Sequence, residues 1–129
     1  MYNKKESIED YLEKILMLKN EKELVRAIDV ATFMGFSKPS VSIALKKLKT
    51  YGYVTVNDDT GEINLTDSGR EIAEKTYDRH LILSRALIDL GVTESVAYED
   101  ACAMEHIISQ ETYDALKNHY LRKDKKNVK

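Results

Sequence analysis

The chain has 129 residues, 43% hydrophobic and 33% charged, which gives room for one compact unit or two small ones sharing a core and describes a soluble globular protein. No apolar run approaches the roughly 18 residues of a membrane span, no signal-peptide pattern opens the chain, and the single cysteine excludes an internal disulfide framework and suits a reducing cytoplasm. The net charge of −2 is unevenly spread: residues 26–56 carry five basic side chains against one acid, and residues 121–129 repeat that balance, so a basic, phosphate-suited segment sits inside an otherwise acidic protein.

A first helix is expected to start at Ser7, a good N-cap, with Ile8, Tyr11, Leu12, Ile15 and Leu18 on one apolar face. Asp10 and Glu13 fall at i and i+3. Taken singly, Asp10 reads as a capping-box carboxylate three residues after Ser7, and Glu13 as a solvated acid. After the polar break at residues 20–23, Ala27 to Met34 reads as a short second helix ended by Gly35. Ser37 then caps a third helix with Pro39 in its first turn, where no donor is missed. Val41, Ala44, Leu45 and Leu48 make its buried stripe, leaving Ser40, Ser42, Ile43, Lys46, Lys47 and Lys49 outside. Two short helices about a glycine-containing turn, the second polar and basic on its outer face, form a helix-turn-helix.

Residues 53–56 and 62–65 are β-prone runs flanking Asn57-Asp58-Asp59-Thr60-Gly61, a hairpin. Thr66 caps a long helix that closes at Gly91. Helix-turn-helix followed by hairpin predicts a winged helix. Two further helices are expected over roughly Glu94–Ile108 and Gln110–Arg122, with Ser109 as the cap between them and a frayed, charged tail beyond. Val96, Ala97, Ala101, Met104, Ile107 and Ile108 are more apolar surface than a helix of a small lone domain buries, which favours a dimer seam over an internal core. The chain shows no internal repeat, glycine-rich phosphate loop or nucleophile–base pattern, so an enzyme is not indicated.

The densest chemistry lies in the fifth helix. If that segment is helical throughout, Cys102, Glu105 and His106 stand at i, i+3 and i+4, placing thiolate, carboxylate and imidazole on one face. A lone cysteine is most often a small buried hydrophobe, and a lone Glu or His a solvated or satisfied polar group. Three ligand types on one face weigh toward a divalent metal. His80 on the long helix and Asp10 with Glu13 on the first extend the set to six candidates, enough for one or two ions.

The segments Ser7-Ile8-Glu9-Asp10-Tyr11-Leu12-Glu13, Ser37-Lys38-Pro39-Ser40-Val41-Ser42, Leu65-Thr66 through Gly69, Arg79-His80, and residues 99–109 around Cys102-Ala103-Met104-Glu105-His106 resemble the diphtheria-toxin-repressor family of metal-dependent transcriptional repressors, including its manganese-transport-regulator branch. The resemblance runs from about Ser7 to about Leu121. It implies a mainly α fold: a winged-helix DNA-binding domain over 1–70, a helical metal-binding and dimerisation domain over 71–122, and a flexible basic tail over 123–129. It implies a cytoplasmic homodimer that binds double-stranded DNA, with no membrane and no small-molecule substrate as partner.

Position by position, Asp10, Glu13, His80, Glu105 and His106 match metal ligands of the manganese branch. Cys102 stands where that branch has Glu and the iron branch has Cys, while Asp10 stands where the iron branch has Met. The donor set is therefore a hybrid. Thiolate favours softer ions and carboxylates favour Mn(II), so the expected co-repressor is Fe(II) or Mn(II), with Zn(II) or Co(II) able to substitute in vitro. Ser84 and Tyr98 occupy places where the iron branch draws an acid and a His for its second site, which looks incomplete here. That branch's SH3-like third domain is also expected to be absent.

The resemblance further implies a switch in which the three acids and the thiol repel one another until a divalent ion between the two domains relieves them, selecting a spacing of recognition helices that fits successive major grooves. Ser37, Lys38, Pro39, Ser40, Ser42 and Ile43 are the expected base or phosphate contacts, with Lys46, Lys47 and Lys49 mainly on phosphate. Ile43 stands where an amide is common in the iron branch. The wing carries Asp58, Asp59 and Glu62 and is expected to add little. The alternatives are a metal-independent or redox-sensing winged-helix regulator acting through Cys102, and a metal buffer that ignores DNA, against which the basic 26–56 segment speaks.

Overall fold

The computed structural model describes residues 4–127. The chain divides into two compact units, Met1–Lys75 and Thr76–Lys129. No helix among the described residues is long and apolar enough to cross a membrane.

In the first unit, α1 (Lys4–Glu21) buries Tyr11, Leu12, Ile15 and Leu18 of the expected apolar stripe and Leu16 besides, while Ile8 is half-buried. It starts three residues earlier than expected, so Ser7 lies inside the helix and does not cap it. Lys4, Lys5 and Glu6 are good helix formers and carry the helix outward. The short α2 (Ala27–Met34) is held at its start by Asp29, whose carboxylate accepts from the Arg26 backbone N–H at 2.8 Å and pairs with Lys22 Nζ at 2.6 Å. Gly35, at φ 71°, closes it in the left-handed conformation a side chain resists. α3 (Lys38–Thr50) begins at Ser37, whose Oγ accepts from the Ser40 N–H at 3.3 Å. Val41, Leu45 and Leu48 are buried on its inner side, and Lys47 and Lys49 sit in its last turn.

Two strands, β1 (Val54–Val56) and β2 (Ile63–Leu65), pair antiparallel with Val54 opposite Leu65 and Val56 opposite Ile63. Asn57 Oδ1 accepts from the Asp59 and Thr60 N–H groups and shapes the loop between them. The Ile63 N–H donates to the Val25 carbonyl at 2.8 Å, tying the hairpin to the segment after α1. α2, α3 and this hairpin make a winged helix-turn-helix. The next helix, α4 (Asp67–Asp89), is capped by Thr66, whose Oγ1 accepts from the Gly69 N–H at 3.2 Å and donates to the Gly52 carbonyl at 2.6 Å. At Gly69 a Cβ would run into the Tyr53 carbonyl, so α4 can leave the hairpin at this closeness only with glycine there.

The division between the units falls within α4. In the second unit, Leu83, Ala97, Ala101, Tyr113 and Tyr120 are buried among α4, α5 (Glu94–Met104) and α6 (Gln110–Asn127). α5 ends at Met104 and not at Ile108. The Ile107 and Ile108 N–H groups both turn onto the Met104 carbonyl, so the last stretch is a tight turn. Consequently Cys102 lies on the helix, Glu105 at its C-cap and His106 in the turn beyond it. Ser109 caps α6 by accepting from the Thr112 N–H at 3.1 Å, and the helix continues past Arg122 to Asn127, where a frayed tail was expected. Of the apolar residues expected at a seam, Ala97 and Ala101 are internal, whereas Val96 and Ile107 are 46% and 70% exposed.

Two measurements check this description. Gly69→Ala should destabilise the fold by about 1–3 kcal/mol, the cost of forcing an atom into a closed contact, read as a fall in thermal midpoint; an unchanged midpoint would refute the close approach. The second concerns Asp29, whose carboxyl is held below its ordinary 3.8 first by the Lys22 ammonium and then by the Arg26 N–H. The folded state therefore gives up that proton more readily than the unfolded state, so the stabilisation is complete above about pH 4 and lost as pH falls below it. Asp29→Asn should lose less stability than the parent between about pH 4 and pH 2. Parallel acid curves for the two proteins would contradict this.

Candidate metal centre and nucleic-acid interface

In the second unit the donor atoms of His80, Cys102 and Glu105 all lie within 4.8 Å of one another. His80 Nδ1 is 3.7 Å from Cys102 Sγ and 3.1 Å from Glu105 Oε2. Ligands held 2.0–2.3 Å from one ion stand about 3–4 Å apart, so this spacing fits a shared cation. The chemistry also fits: a thiol, an imidazole and a carboxylate together suit borderline divalent metals. The setting is dry, with Glu105 at 1% and His80 at 4% exposure and Cys102 half-buried. His106 joins from the turn after α5, its Nε2 3.4 Å from Glu105 Oε1.

Each donor is aimed by its surroundings. The His80 ring lies nearly parallel to Tyr77, at 10° and 6.3 Å, and meets Tyr98 edge-on at 4.6 Å. Tyr98 is thus a wall that fixes the imidazole. The turn bearing Glu105 and His106 is held by Arg79, whose guanidinium donates to the Ile108 carbonyl at 3.0 Å, the Glu105 carbonyl at 3.4 Å and Gln110 Oε1 at 3.0 Å. The same guanidinium sits 5.4 Å from the centre of the Tyr113 ring. No spacing rule points to this role. Arg79 adjoins His80 in sequence, but its partners lie 26 to 31 residues away.

The other two candidate ligands lie on α1, in the first unit. Asp10 and Glu13 are joined there by Lys14, whose Nζ is 3.2 Å from Asp10 Oδ1 and 2.8 Å from Glu13 Oε1. Glu13 is fully buried, which a carboxylate tolerates only with charge or hydrogen-bond compensation. Burial raises the Tyr11 phenol above its ordinary 10, and the adjacent Asp10 charge adds to the rise. The capping-box role considered for Asp10 falls away with the earlier start of α1. Lys14 was missed in the sequence although i+4 spacing from Asp10 was legible, because a lysine can equally well point to solvent.

The residues expected to contact DNA, Ser37, Lys38, Pro39, Ser40, Ser42, Ile43, Lys46, Lys47 and Lys49, are all exposed, at the start and along the outer side of α3. Ile43 is 60% exposed among them. In the wing, Glu62 lies 3.4 Å from Lys19 Nζ, so one of its acids is countered internally, while Asp58 and Asp59 are exposed.

Two family models match the chain. Residues 5–61 match the iron dependent repressor N-terminal DNA binding domain, and residues 66–125 match the iron dependent repressor metal binding and dimerisation domain. The chain is 37% identical over 115 residues to the transcriptional regulator MntR of Escherichia coli O157:H7, covering 89% of this chain and 74% of that one. Among solved structures it resembles the manganese regulator SloR at a TM-score of 0.77 and 29% identity, over 88% of this chain. It also resembles a manganese-dependent transcriptional repressor in complex with manganese, at 0.78 and 28%, over 87% of this chain. It spans only 53% and 51% of those two chains.

The Arg79 clamp yields a measurable consequence. Arg79→Met leaves the Glu105 and Ile108 carbonyls without their charged donor, at a cost of about 1–3 kcal/mol. Hydrogen exchange of the amides in residues 105–109 should accelerate, and Arg79→Lys, lacking the planar fork, should recover little of the loss. Unchanged exchange in both variants would remove the clamp from the account.

Proposed function

Since the chain belongs to the iron-dependent repressor family, we propose that it is a cytoplasmic, non-enzymatic regulator that represses transcription by binding operator DNA as a homodimer when divalent metal is bound, and so serves metal homeostasis. Asp10, Glu13, His80, Cys102, Glu105 and His106 are its ligands. The observation that carries the reading is the convergence of His80, Cys102 and Glu105 in a dry setting, in a chain that also exposes a basic recognition helix.

When bound, a divalent ion supplies positive charge to acids that otherwise repel one another. The remaining work belongs to the protein. Arg79 holds the Glu105–His106 turn in one shape, and Tyr77 and Tyr98 hold the His80 ring, so the donors need little reordering. Ser37, Lys38, Pro39, Ser40, Ser42 and Ile43 contact bases or phosphate, and Lys46, Lys47 and Lys49 mainly phosphate. Exposed Leu81, Leu90, Val96, Ile107 and Leu121 on the second unit support a second copy of the chain as the partner. The ion is Fe(II) or Mn(II): Cys102 softens the donor set, whereas two similar solved structures are of manganese regulators. A thiol 3.7 Å from an imidazole also favours a second reading, a regulator that senses peroxide through Cys102.

Fluorescence anisotropy of duplex DNA from this gene's own upstream region, titrated with protein under chelator, Mn(II) or anaerobic Fe(II), separates these readings. Affinity should rise at least about tenfold with the working ion, or about 1.4 kcal/mol of coupling. Cys102→Glu should shift the preference toward Mn(II). Tight binding that ignores both metals but collapses with peroxide would install the thiol reading instead.

A further inference from the structure

We propose that Lys14 is a built-in competitor for the metal: its ammonium occupies the α1 carboxylates in the metal-free protein and sets how much divalent ion is needed to displace it. The proposal rests on the reading of Asp10 and Glu13 as ligands and concerns a residue to which that reading gives no part.

Lys14 lies one turn after Asp10 and directly after Glu13, and its Nζ reaches both, at 3.2 and 2.8 Å. All three side chains are sheltered: 12% exposure for Lys14, 14% for Asp10 and 0% for Glu13. A pair so placed is not a solvated surface ion pair of negligible strength, because water screens it poorly. Glu13 gains most, since a fully buried carboxylate without counter-charge is costly. The same contact opposes metal, because an ammonium and a divalent cation cannot share a carboxylate oxygen at contact distance without strong repulsion. Lysine suits this role better than arginine would. It is a compact charge on a flexible four-carbon stem and makes no bidentate lock, so it can swing out to water when displaced. The chain thus carries a cation for its metal-free state within the ligand cluster itself, and metal affinity becomes the difference between two occupants.

The test uses the full chain and Mn(II) alone, without DNA. Mn(II) affinity is measured by competition with a fluorescent chelator, and the thermal midpoint is measured in excess chelator. Lys14→Met should bind Mn(II) at least about tenfold more tightly than the parent, or about 1.4 kcal/mol, while its metal-free midpoint falls. Lys14→Arg should bind no more tightly than the parent. Lys14→Gln serves as a second neutral variant should the methionine protein fold poorly. A lower metal-free midpoint with unchanged or weaker Mn(II) affinity would overturn the proposal, leaving Lys14 as a structural counter-ion. If Glu13→Gln binds Mn(II) as tightly as the parent, the ligand reading of α1 itself fails and the proposal fails with it. The two failures are therefore distinct.

Discussion

A carboxylate stripped of water must be given positive charge or hydrogen bonds in return, and among the described residues this chain accepts that demand once in each unit. Glu13 in the first and Glu105 in the second are both almost wholly buried. Around Glu13 the answer is the Lys14 ammonium, and around Glu105 it is a pair of imidazoles, with Arg79 on the backbone. An apolar residue of similar volume would fill either place at lower cost. One acid kept dry beside a lysine, and another kept dry beside a thiol and histidines, make sense when a stronger cation completes the compensation. The functional chemistry therefore lives where the fold is least comfortable.

The remainder of the first unit is conventional by comparison. Its core is aliphatic, its turns carry Gly35 and Gly61 at positive φ, and its caps are Ser37 and Thr66. This division of labour keeps the recognition helix rigid while leaving its outer side chemically free. The internal pairing of Glu62 with Lys19 adds to the effect, because it keeps a wing acid from opposing the lysines of α3.

Much of this was legible in advance because it rests on local rules. Ser37 before Pro39, the period of Val41, Leu45 and Leu48, and the turn residues 57–61 each specify their element without help from distant parts of the chain. Where expectation and structure part, a long-range contact or a long side chain decided the outcome. The fifth helix stops at Met104 instead of Ile108, where the carbonyls of Glu105 and Ile108 take their donors from Arg79, a partner no periodicity reveals. Lys14 chose the acids over solvent, and Gly69 is demanded by a carbonyl sixteen residues earlier. The Ser7 cap failed for a simpler reason. Residues before it favour helix as strongly as those after, and a good capping residue does not oblige a helix to begin.

Lys47 and Lys49 lie in the final turn of α3. There they meet the partial negative charge of the last carbonyls, an interaction that steadies the helix whether or not phosphate is near. On the proposed function, selection for fold stability and selection for nucleic-acid contact consequently act on the same two side chains. A descendant that abandoned its operator would be free to change Ser40, Ser42 and Ile43, which stabilise little, yet would tend to retain these lysines. Among relatives of this chain, basic charge at the end of the recognition helix is therefore a poor sign of surviving DNA recognition, and the small residues at its start are the better one.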